Sequence, residues 1–148
     1  MTVEKLTAAH LSAVAELEAL CFSDPWSEKA LELLVSDGAY GAVCLSEGRV
    51  VAYGGVLWAP GEGQITNIAT HPDARRKGMG AAVLEHLIEE ARSRECEQLS
   101  LEARVSNIPA IALYERYGFL KMGIRRGFYK HPTEDAFVMC LQLGGTKI

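Results

Sequence analysis

Apolar residues near the start of the chain recur with a helical period. Leu11, Val14, Leu17 and Cys21 fall on one face of a segment that Thr7 is placed to cap and that ends near Phe22. After a loop over 23–26, Ser27 is a second helix cap, with Trp26 and Leu31 at the two positions of a hydrophobic staple. The period then changes to two: 40–45 and 50–58 read as strands joined through Glu47-Gly48 into an antiparallel hairpin, with Gly54-Gly55 marking a bulge or a close approach. Beyond the Pro60-Gly61-Glu62-Gly63 turn, 64–70 is a further strand. Residues 80–94 return to helical spacing, with Val83, Leu84, Leu87, Ile88 and Ala91 in one stripe and Glu85, Glu89, Glu90 and Arg92 toward water. The pattern ends with a strand over 99–104, a helix over 107–117 closed by Gly118, and a last strand over 136–143. Strand, helix and strand between 64 and 104 make a parallel βαβ unit, and the early hairpin and last strand make the sheet mixed. The expected class is α/β, in a single domain over 1–148.

Composition narrows the function classes. At 148 residues and 49% hydrophobic, the chain has enough apolar material for one core and no room for a second domain. The net charge of −4 is spread over interleaved acids and bases, so no surface for nucleic acid or an anionic membrane is expected, and any anion site is local. No apolar run approaches a membrane span and the first twenty residues do not read as a signal peptide, which predicts a cytoplasmic protein. Cys21, Cys44, Cys96 and Cys140 are too scattered for a zinc site or a disulfide scaffold and read as free thiols. His10, His71, His86 and His131 are equally dispersed, without His-Glu-x-x-His or Gly-x-Ser-x-Gly spacing, so no metal and no serine nucleophile is expected.

The chemistry concentrates between Ile65 and Gly80. There an apolar strand runs through His71-Pro72-Asp73-Ala74 into Arg75-Arg76-Lys77-Gly78-Met79-Gly80 and opens a helix. Gly78 and Gly80 let a backbone approach a ligand closely, the helix start offers unpaired N–H groups, and three cations flank them, which suits a phosphate-bearing nucleotide. Ala81 and Ala82 stand where a P-loop needs Lys and Ser or Thr, and Val83 stands where a dinucleotide fingerprint needs its third glycine. On the strand over 99–104, alternation sets Leu99, Leu101 and Ala103 on one face and Ser100, Glu102 and Arg104 on the other. Glu102 is thus either a solvent-facing charge paired with a neighbour or a functional carboxylate.

Arg75-Arg76-Lys77-Gly78-Met79-Gly80 resembles the Q/R-x-x-G-x-G/A loop of the GNAT N-acetyltransferases. Leu101-Glu102-Ala103-Arg104-Val105-Ser106-Asn107, Ala110-Ile111-Ala112-Leu113-Tyr114-Glu115 and Gly118-Phe119 match that family's later segments in order and spacing. Pro25-Trp26-Ser27-Glu28-Lys29, together with Ile124-Arg125-Arg126 and Tyr129, resembles its ribosomal-protein-alanine N-acetyltransferase branch, the RimI branch. The resemblance implies the acyl-CoA N-acyltransferase fold, in which the mixed sheet splays between two parallel strands flanked by helices. It implies acetyl-CoA as co-substrate. Backbone at Ile68, Ala69 and Thr70 would pair with the pantetheine arm, and Arg75, Arg76, Lys77, Gly78, Met79, Gly80 and Ala81 would cradle the pyrophosphate. Asn107, also a helix cap, would touch CoA. Glu102 becomes the general base, directly or through water, and Tyr114 the general acid toward the departing thiolate. Trp26 and Tyr129 become acceptor contacts, although Phe128 replaces the first of two tyrosines in the family segment. The implied acceptor is a protein N-terminus, that of a ribosomal protein beginning with alanine, with a lysine or small-amine acceptor, or a silent acetyl-CoA-binding module, as alternatives. A monomer is expected.

Overall fold

The computed structural model describes residues 1–144. Its sheet has seven strands: β1 (Thr2–Lys5), β2 (Ala39–Ser46), β3 (Arg49–Ala59), β4 (Glu62–Thr70), β5 (Gln98–Arg104), β6 (Leu120–Tyr129) and β7 (Glu134–Gln142), in the spatial order β1-β2-β3-β4-β5-β7-β6. Every pairing is antiparallel except β4 with β5. The helices are α1 (Leu11–Cys21), α2 (Glu28–Leu31), α3 (Met79–Ser93) and α4 (Ile108–Arg116).

Two apolar layers hold the sheet. On one face Val83, Leu84, Leu87, Ile88 and Ala91 of α3, with Ile111 and Tyr114 of α4, pack against Tyr40, Ala42, Ala52, Val56, Leu99 and Leu101. On the other, Leu11, Val14 and Leu17 of α1 and Leu31 of α2 pack against Val43, Tyr53 and Ala69. Alternation along β2, β3 and β4 sends neighbouring side chains to opposite layers. Burying each large aliphatic of the α3 stripe stabilises the fold by about 1.5–3 kcal/mol.

Local chemistry explains the element ends. Glu47 and Gly48 both take positive φ (52° and 78°), the conformation a two-residue turn needs to match strand twist. Gly54-Gly55 is both a bulge and a close approach. Pairing slips between Gly54 and Val56, and a Cβ on Gly54 would lie 2.8 Å from Val83 Cγ1 and 2.9 Å from Leu87 Cδ1. Ser27 Oγ accepts from Ala30 N–H at 3.1 Å as the cap of α2, which passes after one turn into a 3-10 segment at Glu32–Val35. The helix expected from Thr7 begins instead as a 3-10 turn, Ala8–His10, in which His10 Nδ1 accepts from Thr7 N–H at 2.9 Å.

Strands β1 and β6 are absent from the sequence expectation. Both lie at the sheet edges and bury little, so neither carries the in-out contrast that marks a strand. In β6, Gly123 and Gly127, the basic residues and two register slips break the alternation, and Leu120 and Met122 are 65% and 64% exposed.

Candidate active site

The site begins where a ladder stops. β4 and β5 pair only at Glu62–Gln98, Gly63–Leu99 and Gln64–Ser100; beyond these the two parallel strands diverge. The split opens into a cavity of about 760 Å³, lined by β4 from Gln64 to Ile68, by β5 from Leu101 to Arg104, by the α1–α2 link including Trp26, and by Asn107, Tyr114, Phe128 and Tyr129.

The free edge of β4 has a defined polarity. His71 N–H donates to Val51 O at 2.8 Å, and the pairing of Tyr53 with Ala69 continues that register. In an antiparallel ladder alternate residues turn both polar groups to the same neighbour. Ala69 therefore faces β3 with its backbone and the core with its side chain, while Ile68 turns its N–H and C=O, and Thr70 its N–H, to the split. At the end of β4, Thr70 O accepts from Arg75 Nε at 3.2 Å and from Cys21 Sγ at 3.4 Å. All three cations are exposed, and Arg75 is the one whose guanidinium turns back on the strand end.

Gly78 takes φ +79° as the residue before α3, and the first helical bond there runs from Ala82 N–H to Gly78 O. The N–H groups of Met79, Gly80 and Ala81 precede that bond and have no helical partner, the arrangement in which a helix start can accept an anion. A Cβ on Gly80 would approach Thr70 Oγ1 to 3.0 Å, which shows how tightly loop and strand end meet. These residues lie beyond the cavity lining, at its β4 end.

Glu102 projects from β5 into the cavity. Its side chain is 11% exposed; Gln64 Nε2 donates to its two oxygens at 3.1 and 3.3 Å, and Arg125 Nε stands 3.6 Å from Oε2. Tyr114 reaches the same space from α4, where burial, with a smaller contribution from Tyr129, pushes its phenol up to about 12. It therefore stays protonated throughout the neutral range. Asn107 Oδ1 caps α4 by accepting from Ala110 N–H at 3.3 Å, which leaves its NH2 for a ligand. Tyr129 lies under the Arg104 guanidinium, 4.4 Å from ring centroid to Cζ; burial first and Glu102 second raise its phenol to about 12. Trp26 packs on the Leu31 layer and lines the cavity, so its staple and wall roles coexist.

Of the residues singled out from sequence, the cavity gathers Trp26, Ile68, Glu102, Asn107, Tyr114 and Tyr129. Thr70 and 75–81 form the adjoining strand end and helix start. Sequence reasoning missed the partners: Gln64 and Arg125 on Glu102, Arg104 gripping Glu134 (3.1 Å) and the carbonyls of Lys130 and Pro132, and His131 joined to Asp24 at 3.0 Å across the cleft mouth. Only strand register and hairpin geometry bring these together, and no spacing in the sequence marks them.

A split parallel pair that ends on a helix start, with an acid and a phenol in the split, defines an N-acyltransferase that takes its acyl group from a coenzyme A thioester. The sequence profile of the Acetyltransferase (GNAT) family matches residues 11–119, and the chain belongs to that family, whose acyl donor is acetyl-CoA. The chain is similar to the [ribosomal protein bS18]-alanine N-acetyltransferase of Escherichia coli K12, at 37% identity over 96% of this chain and 97% of the relative. It is also similar to the N-alpha-acetyltransferase RimI of Mycobacterium tuberculosis, at 33% identity over 94% and 90%. The crystal structure of the ribosomal-protein-S18-alanine N-acetyltransferase from Escherichia coli superposes with a TM-score of 0.90 at 35% identity, covering 99% of this chain and 97% of that one. Among the described residues no helix is long and apolar enough to cross a membrane.

Proposed function

We propose that the chain transfers acetyl from acetyl-CoA to the N-terminal α-amine of a protein, with a ribosomal protein beginning with alanine as acceptor. The observation that carries the reading is Glu102, delivered by β5 into the split beside β4, in one cavity with Tyr114, Trp26 and Tyr129. Similarity along nearly the whole chain to an enzyme named for bS18 alanine supports the acceptor class. The same reading makes it a cytoplasmic enzyme acting as one domain and as a monomer.

The residues fit acetyl-CoA. Ile68 and Thr70 offer strand-like hydrogen bonds to an amide-bearing arm, and the N–H groups at 79–81, with Arg76 and Lys77, suit a pyrophosphate. Acetyl-CoA supplies an acetyl group already activated as a thioester. What remains is proton management. An α-amine with pKa about 7.7–8.0 is mostly protonated at pH 7 and has no lone pair in that form, so Glu102 accepts its proton, directly or through water, before the nitrogen attacks the thioester carbonyl and the C–S bond breaks. Tyr114 presents an O–H to the departing sulfur; because its phenol holds its proton so firmly, hydrogen-bond stabilisation of the thiolate is its main contribution. Trp26 and Tyr129 wall the part of the cleft that receives the first residues of the acceptor.

The test is incubation with acetyl-CoA and a peptide panel, with mass spectrometry to locate the acetyl group. Acetylation of the α-amine of peptides beginning with Ala or Ser is expected. Exclusive modification of internal lysines overturns the N-terminal reading, and modification of polyamines with no peptide product overturns the protein acceptor.

A further inference from the structure

Glu18 is the one charged side chain among the described residues that is fully buried, at 0% exposure, and the chemistry above does not use it. It projects from α1 beneath the acceptor side of the cleft. Oε1 accepts from the backbone N–H of Trp26 at 2.9 Å; Oε2 accepts from Asn67 Nδ2 at 2.9 Å and from the Tyr53 hydroxyl. No cation pairs with it among the described residues. A carboxylate without a counter-charge is costly to bury and persists only when strong donors fill its lone pairs, and three do so here. Burial and the Glu18 charge both raise the Tyr53 phenol, so Tyr53 remains a donor.

The placement of these donors carries the inference. They come from three places: the link between α1 and α2, the middle of β3, and β4 next to Ile68. Two of the three residues, Trp26 and Asn67, line the cavity, while Glu18 does not. Across the cleft mouth, the Asp24–His131 pair lies at the exposed surface, where ion pairs hold geometry weakly. Cys21 Sγ also donates to Thr70 O at 3.4 Å, but a thiol is a weak donor, so the buried carboxylate is the strongest polar tie between the Trp26 wall and the strand that borders the split. We propose that Glu18 is a positioning residue for the acceptor, setting the width of the groove in which its first residue lies. The proposal rests on the N-terminal acceptor reading above.

Glu18→Gln keeps size and one acceptor oxygen but turns an NH2 group toward the donors Asn67 and Tyr53. Steady-state kinetics with an Ala-initiated peptide should show the peptide KM raised about tenfold or more, kcat within about threefold, and acetyl-CoA affinity by calorimetry unchanged. Adding Asn67→Asp moves the carboxylate to the other side of the same hydrogen bond and should recover most of the lost KM, which a loss of general stability would not allow. Tyr53→Phe removes one donor in a fold that keeps its carboxylate and should raise the peptide KM by a smaller factor; it carries the test where Glu18→Gln does not fold. An unchanged peptide KM in folded Glu18→Gln, an equal loss of acetyl-CoA affinity, or no recovery in the folded double variant overturns the proposal. With Glu18→Gln unfolded, an unchanged KM in Tyr53→Phe does the same. The wild-type protein run alongside separates the two readings, since absence of α-amine acetylation there overturns the acceptor assignment itself.

Discussion

Glu102→Gln isolates the proposed base from everything that positions it. A glutamine of the same shape still accepts from Gln64, which now lies 3.1 and 3.3 Å from the two carboxylate oxygens, so the cleft and the acetyl-CoA site should hold their geometry. The charge opposite Arg125 and the capacity to take a proton are lost. General-base assistance is worth about 10²–10⁴ in rate, and the lower figure applies to an amine that is partly neutral unaided. With a pKa of about 7.8, roughly one α-amine in seven is neutral at pH 7 and nearly all are at pH 9, so alkaline solvent restores about sevenfold of what the base supplied. The variant should turn over about 10²-fold more slowly than wild type at pH 7 and regain about sevenfold by pH 9, a steeper rise than wild type shows. Initial rates of CoA release at saturating peptide, followed across this range, with acetyl-CoA affinity measured by calorimetry, provide the assay. Rates within about twofold of wild type at every pH refute the base assignment, and an equal fall in acetyl-CoA affinity refutes the claim that geometry is preserved.

Gly80→Val should abolish measurable acetyl-CoA binding in calorimetry while circular dichroism stays native, because a Cβ there already meets Thr70 Oγ1 at 3.0 Å and the added methyls cover the helix-start N–H groups. Tyr114→Phe should lower kcat by about tenfold or more with acetyl-CoA affinity unchanged. Tyr114 and Tyr129 are both raised to about 12 from an ordinary value of 10.0, so the folded state holds these protons more tightly than the unfolded chain. That contribution to stability is intact below about pH 10 and is lost as the pH climbs toward 12; thermal midpoints should fall over this window, less steeply in Tyr114→Phe. Gly54→Val forces a side chain against Val83 and Leu87 and should lower stability by about 1–3 kcal/mol in urea unfolding with little change in KM.

What was legible in the sequence was what periodicity and turn chemistry write locally. The α3 stripe, the Glu47-Gly48 hairpin and the alternation that set Glu102 opposite Leu101 all depend on residues within a few positions of one another. The Ile65–Gly80 loop and the later segments carried the family resemblance because acyl-CoA binding uses backbone groups in fixed order along the chain. Edge strands β1 and β6 stayed hidden because a strand that buries neither face has no hydrophobic signature. The contacts that complete the site are long-range: Gln64 to Glu102 spans 38 residues, Asn67 to Glu18 spans 49 and His131 to Asp24 spans 107. Such pairs follow from strand order and register, which local patterns do not encode. Glu18 shows the limit well, since on α1 it reads as one more polar position, yet the layer above it buries the carboxylate completely.

Selection of an α-amine over a lysine, as the proposed acceptor requires, follows in part from the basicity of the two amines themselves. A lysine ε-amine near pKa 10.4 lies about 2.5 units above an α-amine, and each unit is worth about 1.36 kcal/mol, so the same carboxylate meets about 3.4 kcal/mol more opposition in freeing the lysine nitrogen. That difference corresponds to roughly 10²-fold or more in the population of attacking neutral amine at pH 7. The cleft adds a second filter. Trp26 and Tyr129 line the part of the cleft proposed to receive the acceptor, which favours an extended chain end with a small first side chain over one beginning with Trp. A single peptide beginning with Ala and carrying an internal Lys should therefore be acetylated at its α-amine in at least about 10²-fold excess at pH 7, and the same peptide beginning with Trp should react more slowly. Raising the pH to about 9 leaves nearly all α-amines neutral while the neutral lysine population still climbs about a hundredfold, so the excess should shrink with pH if acid–base chemistry sets it. Mass spectrometry of the two products reads the ratio directly. A ratio near one at pH 7 shows that neither the carboxylate nor the walls discriminate, and a large ratio that does not move with pH assigns the selection to the walls alone.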